Sequence, residues 1–431
     1  MIPTSASTPS RRHLVGSAVG TALTWIGLRL AMFAIFVGRE SSVSGDPHYY
    51  FTSLSELGSG GLAQVLVEYP TPVVWFLEIP QLWAAPGGNG YAAAFALFML
   101  LLEGGLAAAL WWCGRHVGPS AALWWAFFTF LVGPLVWYRF DVVPAVLAAS
   151  ALLVVANRPG VAGGLVAVGA ALKLWPALLV AGLWGDRAGR WRTWLGFGAT
   201  GLALVVVSLV AGGWQRLISP LGWQGDRGLQ IESVWATPLM VNALFHPARY
   251  QVGFSAYNAY EIFGPGVPTM LVLSSVATVL GGVAIIVLAV RAWRSPGYSP
   301  AAAALIMTTV VAVMITTNKT FSPQYIVWLG GPLAVLALTP RPAHRDDGRR
   351  TLLVLGLVLA ALTQLVYPLT YGWLATTDPG ADHTLATAIL AARNVGILVF
   401  TVLSCSAAWR ALDATPDRAA QPRSEPRHAA A

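Results

Sequence analysis

The chain has 431 residues, of which 56% are hydrophobic and only 10% are charged, and its mean hydropathy is +0.64. A water-soluble globular domain carries about 25% charged residues, so this composition excludes one. The net charge of +8 does not indicate nucleic acid, because the cations sit in short clusters between apolar runs, the distribution that sets membrane topology.

Apolar runs of roughly 20 residues recur along the length, each long enough to cross a hydrocarbon core of about 30 Å. The first, Leu14 to Val37, follows Arg11 and Arg12. It exceeds a signal-peptide core, has no convincing cleavage site, and reads as an uncleaved anchor. Further spans are expected at about 91–112, 119–137, 141–157, 193–212, 268–290, 300–317, 321–338, 351–369 and 385–409. Gly160 to Trp184 is long enough for one tilted helix but is broken by Lys173 and Pro176. Two short helices with an apex near Lys173 keep every later loop on a consistent side, and this reading is preferred to a single crossing. The fold class is therefore an all-α polytopic membrane protein, a bundle of about 10–12 transmembrane or re-entrant helices.

With that arrangement, the predicted inner segments hold 17 Lys and Arg, including Arg115, Arg187, Arg291, Arg341, Arg345 and Arg349. The outer segments hold seven, namely Arg39, Arg139, Lys173, Arg216, Arg227, Arg249 and Lys319, while Arg29 and Arg393 lie within spans. The positive-inside rule then places both termini in the cytoplasm of a cell-membrane protein. Three regions follow: a cytoplasmic segment 1–13, a membrane domain 14–410, and a disordered cytoplasmic tail 411–431 rich in Ala, Pro and Arg. Two large extracytoplasmic loops span about 38–90 and 213–267. Apolar stretches within them, such as Val73 to Leu77, are too short to span and suit helices lying in the lipid interface.

Eleven of the 18 acidic residues fall in outer segments, among them Glu40, Asp46, Glu68, Asp141, Glu232 and Asp378. Most read as solvated surface. Asp46, in Gly45-Asp46-Pro47-His48-Tyr49-Tyr50 just after the first span, admits two roles. A carboxylate at the membrane surface can take a proton from a substrate hydroxyl as a general base, or it can N-cap a helix starting at Pro47. Lysine is used at only two of the 26 Lys/Arg positions, Lys173 and Lys319, both in uncharged, Pro-containing turns on the outer side. A compact ammonium there suits a phosphate group, whereas a lone lysine would also snorkel to the interface. Arg29 and Arg393 within spans serve either lipid-phosphate binding or structural pairing, with Glu103 a candidate partner. His48, His246 and His383 have no metal-ligand cluster around them, so no metal and no other cofactor is expected.

Five segments taken in order carry a resemblance. They are Asp46 after the first span, Tyr69-Pro70-Thr71-Pro72, Arg139-Phe140-Asp141-Val142-Val143-Pro144, Lys173-Leu174-Trp175-Pro176 and Phe321-Ser322-Pro323-Gln324-Tyr325. Together they resemble glycosyltransferase family 87, membrane enzymes with a GT-C-like helical bundle found widely in actinobacteria. The one departure is Tyr69-Pro70-Thr71-Pro72 where Tyr-Pro-Pro is more usual. The resemblance implies transfer of mannose or arabinofuranose from a polyprenyl-phosphate sugar donor to a glycolipid or polysaccharide acceptor outside the cytoplasm, with membrane lipids and no nucleic acid as partners. It implies Asp46 as catalytic base, and Lys173 and Lys319 at the donor phosphate with Arg29 or Arg393. Arg139 and Asp141 would shape the rim of the site, and His48, Glu68, Tyr69, Gln324 and Tyr325 would face substrate. A transporter or flippase of a lipid-linked sugar is the competing reading, because broken helices with intramembrane cations are also its signature.

Overall fold

The computed structural model describes residues 11–37, 43–85, 90–183, 189–295, 299–339, 348–376 and 381–413. The expectations for the first ten residues, for 414–431, and for Arg39, Glu40, Arg187, Arg341, Arg345 and Asp378 lie outside the described residues.

The chain is helical nearly throughout. After α1 (Arg11–Phe36), the first long loop contains α2 (Gly45–Ser55), α3 (Leu57–Gly60) and α4 (Pro72–Glu78). There follow α5 (Tyr91–Gly114), α6 (Ser120–Val132), α7 (Leu135–Tyr138), α8 (Val142–Val154), α9 (Pro159–Leu172) and α10 (Arg190–Asp226). The second long loop adds α11 (Thr237–Phe245) and an antiparallel hairpin of β1 (Gln251–Phe254) and β2 (Tyr260–Phe263), in register Gln251↔Phe263. The chain ends with α12 (Val267–Arg294), α13 (Pro300–Thr317), α14 (Val327–Leu338), α15 (Arg349–Gln364), α16 (Tyr371–Leu374) and α17 (Ala381–Asp413). Among the described residues seven helices are long and apolar enough to cross a membrane, and four shorter apolar helices pack with them. Every expected span coincides with one of these helices.

Position in the bundle follows from how apolar surface is distributed around each helix. α13 and α14 are apolar on all sides and buried along nearly their whole length, as a helix without a polar face must be. α10 and α12 leave Leu195, Leu202, Val210, Val279 and Leu280 exposed, the surface a lipid-facing helix presents. Residues 411–413, expected in the tail, continue α17 instead.

The broken segment is resolved as two pieces. α9 stops at Leu172, four residues before Pro176, which has no N–H to offer the Leu172 carbonyl. Lys173 is extended, at φ −147° and ψ 123°, and Trp175–Leu183 then forms a short 3-10 helix. α9 and α10 run side by side in the same direction, since Gly160 lies against the Arg192 carbonyl, Gly164 against the Thr200 side chain and Gly201 against that of Ala167, positions that rise together along both helices. A Cβ at Gly163 would lie 2.0 Å from the Thr193 carbonyl oxygen, and one at Gly196 would lie 1.9 Å from that of Gly160. Only glycine allows backbones this close. Two consecutive helices can be parallel neighbours only if the chain between them travels back, so Trp175–Leu183 is the returning limb of a re-entrant hairpin with Lys173 at its apex.

Two expectations change. Val73, Val74 and Leu77 of α4 are fully buried in the main core, not laid in the lipid interface, because α4 packs inward against α2 and α9. α10 passes its expected end near 212, bends at Gly213 (φ 75°) and runs on to Asp226. This extension brings Arg216 to the first long loop, where its guanidinium donates to the carbonyls of Leu62, Val65, Leu66 and Tyr69 at 2.7–3.3 Å. The two long loops are thus fastened together at one end of the bundle. A second, smaller core of Leu229, Ile231, Met240, Ile262, Leu374 and Leu390 fixes the second loop onto α17.

Candidate active site

At the loop end of the bundle, α2, the α7–α8 turn and the Lys173 apex converge. The α7–α8 turn carries Arg139, Phe140 and Asp141 in a chain that goes extended at Arg139 before α8 begins. Phe140 is fully buried and holds the turn by packing edge-on against Tyr69, centroid to centroid 5.2 Å. Arg139 and Asp141 flank this anchor and point to different partners.

Asp141, 1% exposed, accepts hydrogen bonds from the Lys173 ammonium and, at 2.7 Å, from Trp328 Nε1. The ammonium also lies 5.0 Å from the Phe140 ring, 5.2 Å from Trp328 and 5.5 Å from Tyr325, within cation–π range. Tyr325, Trp328 and Trp175 stack successively at 4.1 and 4.5 Å. The Arg-Phe-Asp, Lys-Leu-Trp-Pro and Ser-Pro-Gln-Tyr segments, far apart in the chain, therefore interlock around one buried ion pair.

Asp46 occupies the first turn of α2. The N-cap role is not realised: Ser44 is the capping residue and no side-chain cap forms. Instead Asp46 Oδ1 lies 2.5 Å from Arg139 Nη1, and Oδ2 accepts a 3.2 Å bond from the Tyr50 hydroxyl one turn along. Burial drives the Asp46 carboxyl upward from its ordinary value, opposed first by the Arg139 charge and then by the Tyr50 bond. Asp141 and Lys173 also act on it, so the two ion pairs form one electrostatic cluster. The Asp46 side chain is 29% exposed against 2% for Asp141, which makes Asp46 the carboxylate open to a ligand.

The other expected site residues distribute around and away from this cluster. Tyr69 contacts Tyr50 and Phe140. Glu68 accepts a 2.7 Å bond from the Tyr49 hydroxyl, and burial raises its carboxyl. His48 is exposed, its Nδ1 2.8 Å from the Ser44 carbonyl oxygen. Gln324 is half-buried in the turn that leads to Tyr325. Lys319 stands further out, its ammonium donating to the Gly225 carbonyl at 2.8 Å.

Arg29 and Arg393, expected at the donor phosphate, are each held in an ion pair within the bundle. Arg29 pairs with Glu103 at 2.9 Å, and also donates to Thr129 and to the Ala126 carbonyl. Arg393 pairs with Glu232 at 3.1 Å, both fully buried. Each guanidinium is already committed to a carboxylate, which is the structural-pairing alternative. Glu232, read from sequence as solvated surface, is instead buried because it meets this arginine. Sequence reasoning also missed Tyr50 and Trp328. The signal for each was helical spacing, Tyr50 four residues after Asp46 and Trp328 three after Tyr325.

This architecture defines a polytopic membrane protein with a charged, aromatic-walled centre at one end of its bundle. Residues 68–317 match glycosyltransferase family 87, and the chain belongs to that family. Its activity class is therefore glycosyl transfer, and the transporter reading gives way. The matched segment contains Glu68, Tyr69, Arg139, Asp141 and Lys173. Asp46 precedes it and joins it through Arg139. No curated protein and no solved structure matches the chain.

Proposed function

We propose that the chain transfers a mannosyl or arabinofuranosyl unit from a polyprenyl-phosphate donor to a glycolipid or polysaccharide acceptor, with inversion, on the extracytoplasmic face of the cell membrane. The observation that carries this reading is the convergence of Asp46, Arg139, Asp141 and Lys173 at the loop end. In the proposed reaction an acceptor hydroxyl oxygen attacks the anomeric carbon while Asp46 takes the hydroxyl proton. The bond from that carbon to the phosphate oxygen breaks, and its electron pair leaves with the polyprenyl phosphate. A positioned general base contributes about 10²–10⁴-fold. The departing phosphate carries the developing charge, and fixed cations stabilise it in a site with little water. Lys173 is the nearest ammonium, and Lys319 lies further out toward the second loop. Tyr69, Glu68, His48, Gln324 and Tyr325 are the residues proposed to contact sugar and acceptor.

The extracytoplasmic placement rests on the charge asymmetry of the two ends. Reaction of a single cysteine at Ser55 with an impermeant maleimide outside intact cells checks it, and labelling only after lysis reverses it. The donor class is tested with the purified chain in lipid nanodiscs. Polyprenyl-phosphate-linked radiolabelled mannose or arabinofuranose should release polyprenyl monophosphate in step with acceptor labelling, and a nucleotide sugar should give neither. Transfer from the nucleotide sugar alone would remove the proposed donor.

A further inference from the structure

Both carboxylates of the cluster are occupied, but not equally. Asp141 is sealed between Lys173 and Trp328, its side chain 2% exposed. Asp46 is partly exposed, yet one oxygen faces Arg139 and the other accepts from Tyr50. A carboxylate held in this way is not free to receive a proton from an incoming hydroxyl. The residue holding it is itself incompletely satisfied: Arg139 Nε and Nη1 are buried and make no aligned hydrogen bond, although Nη1 is within ion-pair distance of Asp46. Buried donors left without partners are costly and call for an acceptor. A guanidinium presents a planar fork that fits two oxygens of a phosphate at once, which one aspartate oxygen does not satisfy. Nearby, Trp137 Nε1 and Trp175 Nε1 are also buried donors without a partner.

We propose that Arg139 is the donor-phosphate ligand and that phosphate binding draws it off Asp46, so that the base is released only when the donor is in place. This rests on the polyprenyl-phosphate reading above and deepens it. Lys173 stays with Asp141 throughout and supplies a fixed background charge, while Arg139 exchanges one anion for another. Donor therefore binds before acceptor chemistry can begin, and a stray hydroxyl or water in the unoccupied site meets a clamped carboxylate. The incoming phosphate takes the place of the carboxylate at the guanidinium, and Asp46, no longer neutralised by Arg139, becomes the stronger base.

The exchange has a consequence that a purely structural ion pair lacks. If Asp46 competes with phosphate for Arg139, neutralising Asp46 should tighten anion binding while abolishing transfer. Apparent affinity falls by the fraction of molecules in which the ligand-competent arrangement is populated, so a clamp closed in about nine molecules of ten masks about tenfold. The test uses the full chain in nanodiscs titrated with farnesyl phosphate, with farnesol as the uncharged control. Asp46→Asn should bind farnesyl phosphate about tenfold more tightly than wild type, farnesol binding should not change, and Asp46→Asn/Arg139→Gln should lose the gain. Unaltered or weaker binding by Asp46→Asn, or a gain that survives in the double variant, overturns the exchange but leaves the donor class standing. Failure of every variant and of wild type to prefer farnesyl phosphate over farnesol overturns both.

Discussion

Replacing Lys173 with methionine keeps the unbranched stem among Phe140, Tyr325 and Trp328 but removes the ammonium, so it isolates charge from packing. Asp141, 1% exposed, would then retain one donor, Trp328 Nε1 at 2.7 Å. Removing one member of a buried ion pair costs about 3–5 kcal/mol, because the survivor is left charged in a medium that solvates it poorly. Part of that cost is offset by the indole bond, so Lys173→Met should destabilise by about 3 kcal/mol. Asp141→Asn alone strands the ammonium, although its cation–π contacts soften the loss. The double variant Lys173→Met/Asp141→Asn removes both charges and keeps an acceptor for Trp328. It should recover at least half of the summed single losses, a coupling of about 2 kcal/mol, within the range for contacting charged residues. Thermal unfolding in detergent for all four proteins gives the cycle. A Lys173→Met loss below about 1 kcal/mol that simply adds to that of Asp141→Asn would refute a locked ion pair. Transfer should remain impaired in the stable double variant, which separates electrostatic support of the reaction from folding.

Three further outcomes are expected. Arg216→Lys cannot reach four carbonyls with one ammonium; it should cost roughly 2 kcal/mol and expose residues 62–69 to limited proteolysis, and unchanged protection would show that the loop is held otherwise. Glu103→Gln leaves the Arg29 charge inside the bundle, where an unpaired arginine costs about 2.5–3.5 kcal/mol, so the variant should unfold earlier while the KM for donor stays within about twofold; a selective rise in donor KM would return Arg29 to the donor site. Because burial raises the Asp46 carboxyl and a base works deprotonated, activity should fall as pH drops through that raised value, placing the acid limb of kcat/KM above that of an ordinary aspartate. Tyr50→Phe removes a donor to the charged form and should move the limb higher; no movement, or a movement downward, contradicts Asp46 as the titrating group.

The helical bundle was legible in the sequence because a membrane span is a length requirement on apolar residues, and the chain meets it at seven of the ten expected positions, with shorter apolar helices at the other three. The individual charges were legible too, because Asp46, Asp141 and Lys173 stand out where charge is rare. Their pairing was not. Whether Glu232 faces water or Arg393, and whether Arg29 meets a lipid phosphate or Glu103, depends on helix rotation, which a uniformly apolar segment does not encode. Arg139 was placed at the rim, and its part as the partner of Asp46 emerges only from the extended turn after α7. The same holds for α4, whose short apolar run suits a lipid surface and a protein core equally well. The β1–β2 hairpin escaped notice because its strands have four residues each, too few for an alternating pattern to stand out.

The most direct measurement is single-turnover transfer from a saturating polyprenyl-phosphate sugar by Asp46→Asn, with unfolding temperature recorded on the same preparation. A folded variant slowed by about 10²–10⁴-fold is the predicted result. A folded variant transferring within tenfold of wild type would mean that the acceptor proton goes elsewhere, and that the Asp46–Arg139 pair is not the reaction centre.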